Sequence, residues 1–236
     1  MPIRSTVVAP PLVIIAAAFG AATAAFLPRL AYRLAVGFAD PTRLSCANCA
    51  RPFPQGFPGW VRAGAACSCS GGYASALLGG GTVAAVLAIA VGPVPELPFY
   101  LLAAVPGLLL AMIDRRCLRL PDPLVGTLAV VVAVPLAILR PERIGLALVA
   151  AVAVLTTYTL LAFLGGLGLG DVKLAAVLAL ILGFAGWPAV VVGVLAAHLI
   201  NGPIAVFRLL TGRRGPIAFG PALLAGALAG LALQQP

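Results

Sequence analysis

The sequence predicts an all-α, polytopic membrane protein of about eight transmembrane helices with one cytoplasmic, cysteine-containing loop. Three observations predict it. The 236 residues are 62% hydrophobic and only 9% charged, against about 25% charged in a soluble domain. Apolar runs long enough to cross a bilayer recur from end to end, without the short alternating segments of an outer-membrane barrel. The basic residues gather in alternate loops between those runs, the mark of cytoplasmic loops. The formal charge of +9 therefore reads as membrane topology and not as a nucleic-acid surface.

The first span covers residues 7–27 and follows a lone Arg4. A signal peptide would lead into a polar mature domain; here further apolar runs follow, so a true span is expected. Residues 28–73 form a polar loop, the one sizeable extramembrane piece. The next spans are 74–92 and 97–113, then a basic loop at 114–123 and a span at 124–139. Residues 144–164 make the fifth span. A glycine-rich stretch, Gly165 to Lys173, leads into the sixth at 172–186. Trp187-Pro188 interrupts the helix, the seventh span ends near 209, and the eighth is 218–233. The run Gly79-Gly-Gly81 suggests close helix contact; it lacks the Lys-Ser/Thr of a phosphate loop.

Orientation follows from charge. The loops after spans 1, 3, 5 and 7 hold Arg29, Arg33, Arg43, Arg51, Arg62, Arg115, Arg116, Arg119, Lys173, Arg208, Arg213 and Arg214. The other side holds Arg4, Arg140 and Arg143. Twelve against three puts the first set in the cytoplasm and both termini outside.

Only six residues are acidic. Asp40, Glu96 and Glu142 read as solvated charges. Asp122, between two prolines, reads as the cap of the fourth span or as a support near a site. Asp114 and Asp171 differ, because each stands at the edge of an apolar run on the same, cytoplasmic, side. An ionisable residue at such a place marks a functional site by default. One reading pairs each with a nearby base, Asp114 with Arg115 or Arg116 and Asp171 with Lys173. The other is a carboxylate dyad. Two close carboxyls cannot both ionise and so share a proton; one activates a water while the other polarises a peptide carbonyl. That chemistry needs no metal and no cofactor.

Gly168-Leu-Gly170-Asp171 is a Gly-x-Gly-Asp motif, and Gly-Leu-Gly-Asp-Val-Lys-Leu resembles the signature of the type IV prepilin peptidases, membrane aspartic proteases. Asp114-Arg-Arg-Cys-Leu-Arg-Leu-Pro-Asp122 is similar to the segment that holds that family's first catalytic aspartate. Phe219-Gly-Pro221 looks like its motif ahead of the last span, and residues 20–33 are a degraded match to its first-helix segment. The resemblance covers nearly the whole chain. It implies Asp114 and Asp171 as the catalytic pair, 57 residues apart, with Gly168, Gly170, Lys173 and Asp122 in support. It implies a bacterial inner-membrane enzyme that cuts short basic leaders from prepilins or pseudopilins at the cytoplasmic face. Residues 1–27 would be the first transmembrane helix, 28–73 the cytoplasmic loop and 74–236 the peptidase domain. Many relatives also methylate the new N-terminus with S-adenosylmethionine; Ala21, Ala22 and Ala24 depart from the segment linked with that trait. The glycines are expected to let a substrate backbone approach and the helix open. Lys173 would hold Asp171, meet substrate or snorkel to lipid headgroups.

Cys46-Ala-Asn-Cys49 and Cys67-Ser-Cys69 are close pairs in a cytoplasmic loop, which suggests a structural zinc site more than disulfides; reduced thiols without metal are the alternative. The family often carries two Cys-x-x-Cys pairs here, and the second pair departs from that. Cys117 reads as a spectator thiol. His198 and Asn201 read as polar packing between helices, Trp60 and Trp187 as interfacial anchors. Two other functions compete. A proton- or cation-coupled transporter would show inverted repeats and acids at mid-membrane. A non-catalytic pilus assembly protein would be free to lose one aspartate.

Overall fold

A computed structural model describes residues 9–67, 71–164, 167–212, 215 and 217–233. The readings that fall on Arg4, Cys69, Gly165, Gly166, Arg213 and Arg214 lie outside them. The chain runs through α1 (Pro10–Ala24) and α2 (Leu27–Leu34), then a loop with the single turn α3 (Phe57–Trp60). Next come α4 (Tyr73–Val91), α5 (Leu97–Cys117), α6 (Asp122–Leu139), a 3-10 turn at Pro141–Arg143 and α7 (Ile144–Phe163). The last helices are α8 (Leu169–Ala185), α9 (Trp187–Leu210) and α10 (Gly220–Ala232). Among the described residues the only strand-like pairing is an isolated bridge between Ser45 and Pro52.

Proline opens α1, α2, α5, α6, α9 and α10. It is suited to a first turn, where its missing N–H has no intrahelical partner to lose. Among the described residues five helices are long and apolar enough to cross a membrane: α4, α5, α6, α7 with its leading turn, and α9. A sixth is made by α1 and α2 if the pair, bent by 41°, is one span. The expected eight apolar runs all form helices, but two fall short as spans on length. α8 has 17 residues and α10 has 13. At 1.5 Å per residue, α10 is about 20 Å long, against a hydrocarbon core of about 30 Å. Both are interior helices. α8 packs on α6, α7, α9 and α10, and α10 on α4, α5, α8 and α9, so their lengths answer to neighbouring helices more than to lipid. The outer helices carry the lipid-facing apolar surface, with Val130, Ile138, Val149, Val152, Leu195 and Leu199 exposed.

Boundaries shift where they touch function. α5 runs past 113 to Cys117, so Asp114 lies inside a helix. α8 starts at Leu169, so Asp171 stands in its first turn. Residues 28–34, expected as loop, are helix α2, because Leu27, Ala31 and Ala35 form one apolar face that packs with Ile113 and Leu109 of α5. Gly80, within the expected triple-glycine contact, meets Gly20 of α1 so closely that a Cβ on either would strike the other's carbonyl. Gly226 and Gly230 of α10 lie as close to the α9 backbone. Small residues are what let helices in a membrane approach this far.

Two expectations are corrected here. Glu96 is not solvated: it is 7% exposed and accepts a hydrogen bond from Arg140 Nε, tying the α4–α5 turn to the end of α6. A carboxylate this buried persists where a cation answers it. Trp60 is not a bare interfacial anchor, because the Arg33 guanidinium covers its ring at 3.7 Å.

Candidate active site

The C-terminal end of α5 and the first turns of α8 and α10 meet at one end of the bundle. Asp114, on α5, is 3% exposed. Its Oδ2 accepts the backbone N–H of Gly220 at 2.9 Å. That N–H belongs to the first turn of α10 and has no intrahelical acceptor. A Cβ at Gly220 would sit 2.9 Å from the same oxygen, so a glycine is needed for the carboxylate to come this near. Asp171 reaches the same space from α8. Among the described residues its buried Oδ1 has no hydrogen-bond partner, and the two carboxyl groups are near enough for their charges to act on each other. Together they line a cavity of about 480 Å³ with Gly168, His198, Asn201 and Phe219.

The ion pairs that would have made these acids ordinary do not form among the described residues. Lys173 Nζ donates to both carboxylate oxygens of Asp122 at 2.8 Å, in the open. This corrects two expectations at once. Asp122 does not cap α6, which has no side-chain cap bond, and Lys173 does not hold Asp171. The reason is position: Asp122 opens α6 and Lys173 begins the second turn of α8, and these helix starts face each other. Leu120 fills the space between them. Gly170 would bring a Cβ to 3.2 Å from the Leu120 Cβ, so this glycine lets the linker after α5 close down on α8. Gly168 is the extended residue that precedes α8.

His198 and Asn201, expected to pack between helices, line the cavity from α9. His198 Nδ1 lies 2.9 Å from the Val194 carbonyl oxygen one turn earlier. That oxygen can only accept, so Nδ1 carries the proton. The ring lies edge-on to Phe219 at 5.4 Å and to Tyr158 at 5.7 Å. Tyr158 was not foreseen. It is 1% exposed, its buried hydroxyl has no hydrogen-bond partner among the described residues, and it feels the charge of Asp171. The available signal was the short polar patch Thr156-Thr157-Tyr158-Thr159 in a long apolar helix, because a buried phenol usually finds a hydrogen-bond partner. Gly220 lay inside the Phe219-Gly-Pro221 motif, but its bond to Asp114 spans 106 residues and leaves no local trace. Chemically, the cavity offers two carboxyl groups, Asp114 beside the Gly220 amide and Asp171 beside the Gly168 amide, next to a histidine and an amide side chain.

The loop cysteines form a separate cluster. The Sγ atoms of Cys46, Cys49 and Cys67 lie within 4.8 Å of one another, and those of Cys49 and Cys67 are 3.2 Å apart. Tetrahedral zinc at about 2.3 Å from each sulfur needs thiolates about 3.8 Å apart. The three thiols therefore fit a metal; Cys69 lies outside the described residues. Cys117 Sγ lies 3.5 Å from the Ile113 carbonyl, within its own helix.

The model of the type IV leader peptidase family matches residues 102–206, a segment that includes Asp114, Tyr158, Asp171 and His198. No curated protein and no solved structure matches the chain.

Proposed function

We propose, from the match of residues 102–206 to the type IV leader peptidase family, that Asp114 and Asp171 are the catalytic pair of a membrane aspartic endopeptidase. The observation that carries the reading is their convergence, from α5 and α8, on one cavity. One carboxylate takes a proton from a water molecule, whose oxygen attacks the peptide carbonyl carbon. The other, protonated, donates to the carbonyl oxygen as it gains charge. The tetrahedral intermediate then collapses, the C–N bond breaks, and the proton taken from water passes to the leaving amine. The Gly220 N–H holds one oxygen of Asp114 in place.

The substrates are prepilins or pseudopilins, from which a short basic leader is removed. The side on which both aspartates lie is the cytoplasmic one, because twelve of the fifteen basic residues belong to it, and the eight apolar helices complete one inner-membrane bundle. Cys46, Cys49 and Cys67 of the loop hold a structural zinc, with Cys69 as the fourth ligand. The metal would fold a loop that has few buried apolar residues of its own. N-methylation would require S-adenosylmethionine; with Ala21, Ala22 and Ala24 in the first-helix segment, leader removal alone is proposed.

The test is co-expression with a prepilin that the wild type processes, followed by electrophoretic separation of precursor and product. Asp114→Ala and Asp171→Ala should each leave the precursor uncut at wild-type protein levels. Normal processing by either variant would sink the assignment.

A further inference from the structure

A second cavity, of about 400 Å³, lies under the loop between α2 and α4, where Arg29, Arg51, Phe53, Arg62 and Cys67 contribute to its wall. Three of its lining side chains are guanidinium groups and none is a carboxylate. Arg29 is the unusual one. It is 9% exposed, and among the described residues its buried Nε and Nη1 have no hydrogen-bond partner. Arg62 and Arg33 lie near enough to add to the positive potential there, and the Cys67 sulfur near enough to offset a smaller part of it. The Phe53 ring faces the guanidinium at 5.7 Å, a contact that attracts the charge but accepts none of its in-plane N–H groups.

Arg33, one turn later on α2, shows what a structural arginine looks like in the same loop. Its Nε donates to the Arg43 carbonyl, its Nη1 donates to the Gly59 carbonyl, and its plane stacks on Trp60. Arg33 is fully engaged by the fold, and Arg29 is not. An arginine does not shed its proton in a protein, and a buried charge left unpaired is among the costliest arrangements a fold can hold. Such a group calls for an anion.

We propose that this cavity binds a phosphate-class anion, held by Arg29 together with Arg51 and Arg62. The planar fork of a guanidinium matches two phosphate oxygens at once, and the volume admits a phosphate with a small substituent. The cavity adjoins α2, directly after the bend that follows the apolar helix α1. That position is where lipid phosphates lie, so the anion comes either from an anionic phospholipid headgroup or from a soluble phosphate compound. The inference is independent of the peptidase reading.

The experiment uses the full-length protein in nanodiscs of phosphatidylcholine alone, melted in phosphate-free buffer. Inorganic phosphate is titrated against a chloride control of equal ionic strength. A second set of discs contains phosphatidylglycerol without added phosphate. A ligand that binds only the folded state raises Tm in a saturable way. A rise with phosphatidylglycerol alone assigns the site to a headgroup; a rise with inorganic phosphate assigns it to soluble anions; either supports the site. Arg29→Gln should abolish the rise and leave the anion-free Tm unchanged or higher, because an uncompensated charge has gone. Arg62→Gln, on a residue outside the helices, should weaken the response about tenfold in midpoint and serves if Arg29→Gln does not fold. The site is refuted if neither anion moves Tm, or if both variants keep the wild-type response. If, in addition, Arg29→Gln lowers Tm, Arg29 is the counter-charge of the neighbouring thiolates.

Discussion

The helical bundle and the loop between α2 and α4 are built from opposite materials. In the bundle the background is apolar. Leu110, Ile113, Leu128, Val132, Leu136 and Leu174 are wholly enclosed, and the helices close on one another at glycines. The loop buries little besides Cys46, Ala66 and Cys67. It is tied instead by Arg33 on Trp60, by Arg43 over Tyr32 at 4.9 Å, and by the Ala47 N–H donated to the Tyr32 hydroxyl at 2.8 Å. The contrast teaches how to read a polar side chain in each region. Against an apolar background a buried carboxylate stands out and asks for a role. Among many polar ties a charge stands out only when, like Arg29, it is left without a partner.

The largest effect should come from the bundle's chemistry. Asp171→Asn is expected to lower the single-turnover rate of leader cleavage by at least about 10³-fold, equivalent to about 4 kcal/mol. Tm should not fall, because Oδ1 has no hydrogen bond to lose. A variant that loses activity only by unfolding would make Asp171 a structural residue. Next in size is a change of shape. Gly226→Leu should destabilise by about 3 kcal/mol, because its Cβ would sit 2.8 Å from the Ala197 nitrogen. Gly79→Leu is the control: nothing lies within 4 Å of a Cβ there, and the change should stay within about 0.5 kcal/mol. Equal losses for the two would mean that the close approach of α9 at Gly226 is not what sets the cost there.

The same contrast explains what was legible in the sequence. Helix type and order followed from apolar runs and prolines, because a membrane leaves few alternatives to a helix. Asp114 and Asp171 were legible because six acids in 236 residues leave little to choose among. The two helices too short to span were not, since their burial by neighbours is a property of the assembly and 17 apolar residues look like a marginal span from inside the sequence. Helix α2 was hidden by Arg29 and Arg33, which made an amphipathic face look like plain loop. The Gly220 bond, the facing of His198 and Asn201 into the cavity, and the Lys173–Asp122 pair all join residues far apart in the chain. Only packing decides which partner each one meets.

A smaller effect should come from the loop. Cys46→Ser is expected to remove the bound zinc, measured by elemental analysis, and to speed proteolytic nicking within residues 35–72 by about tenfold, the signature of a local opening cheaper by about 1.4 kcal/mol. The bundle's melting should be little changed, because its cores are assembled without the loop's thiols. Loss of the whole fold on this substitution would show that loop and bundle are one cooperative unit and that the contrast is only one of composition.

The smallest effect belongs to the tie between the two helix starts. Lys173 and Asp122 are both well exposed, so Lys173→Ala should cost less than about 1 kcal/mol. Its consequence for cleavage should be a few-fold at low salt, since the pair fixes the approach of α6 to α8 two residues from Asp171. In 1 M salt the Debye length falls to about 3 Å, and wild type and variant should converge in rate. Persistence of the difference at high salt would place the Lys173 charge among the groups that meet substrate. A loss beyond about 10²-fold would do the same, and would move Lys173 from the frame of the cavity into its chemistry.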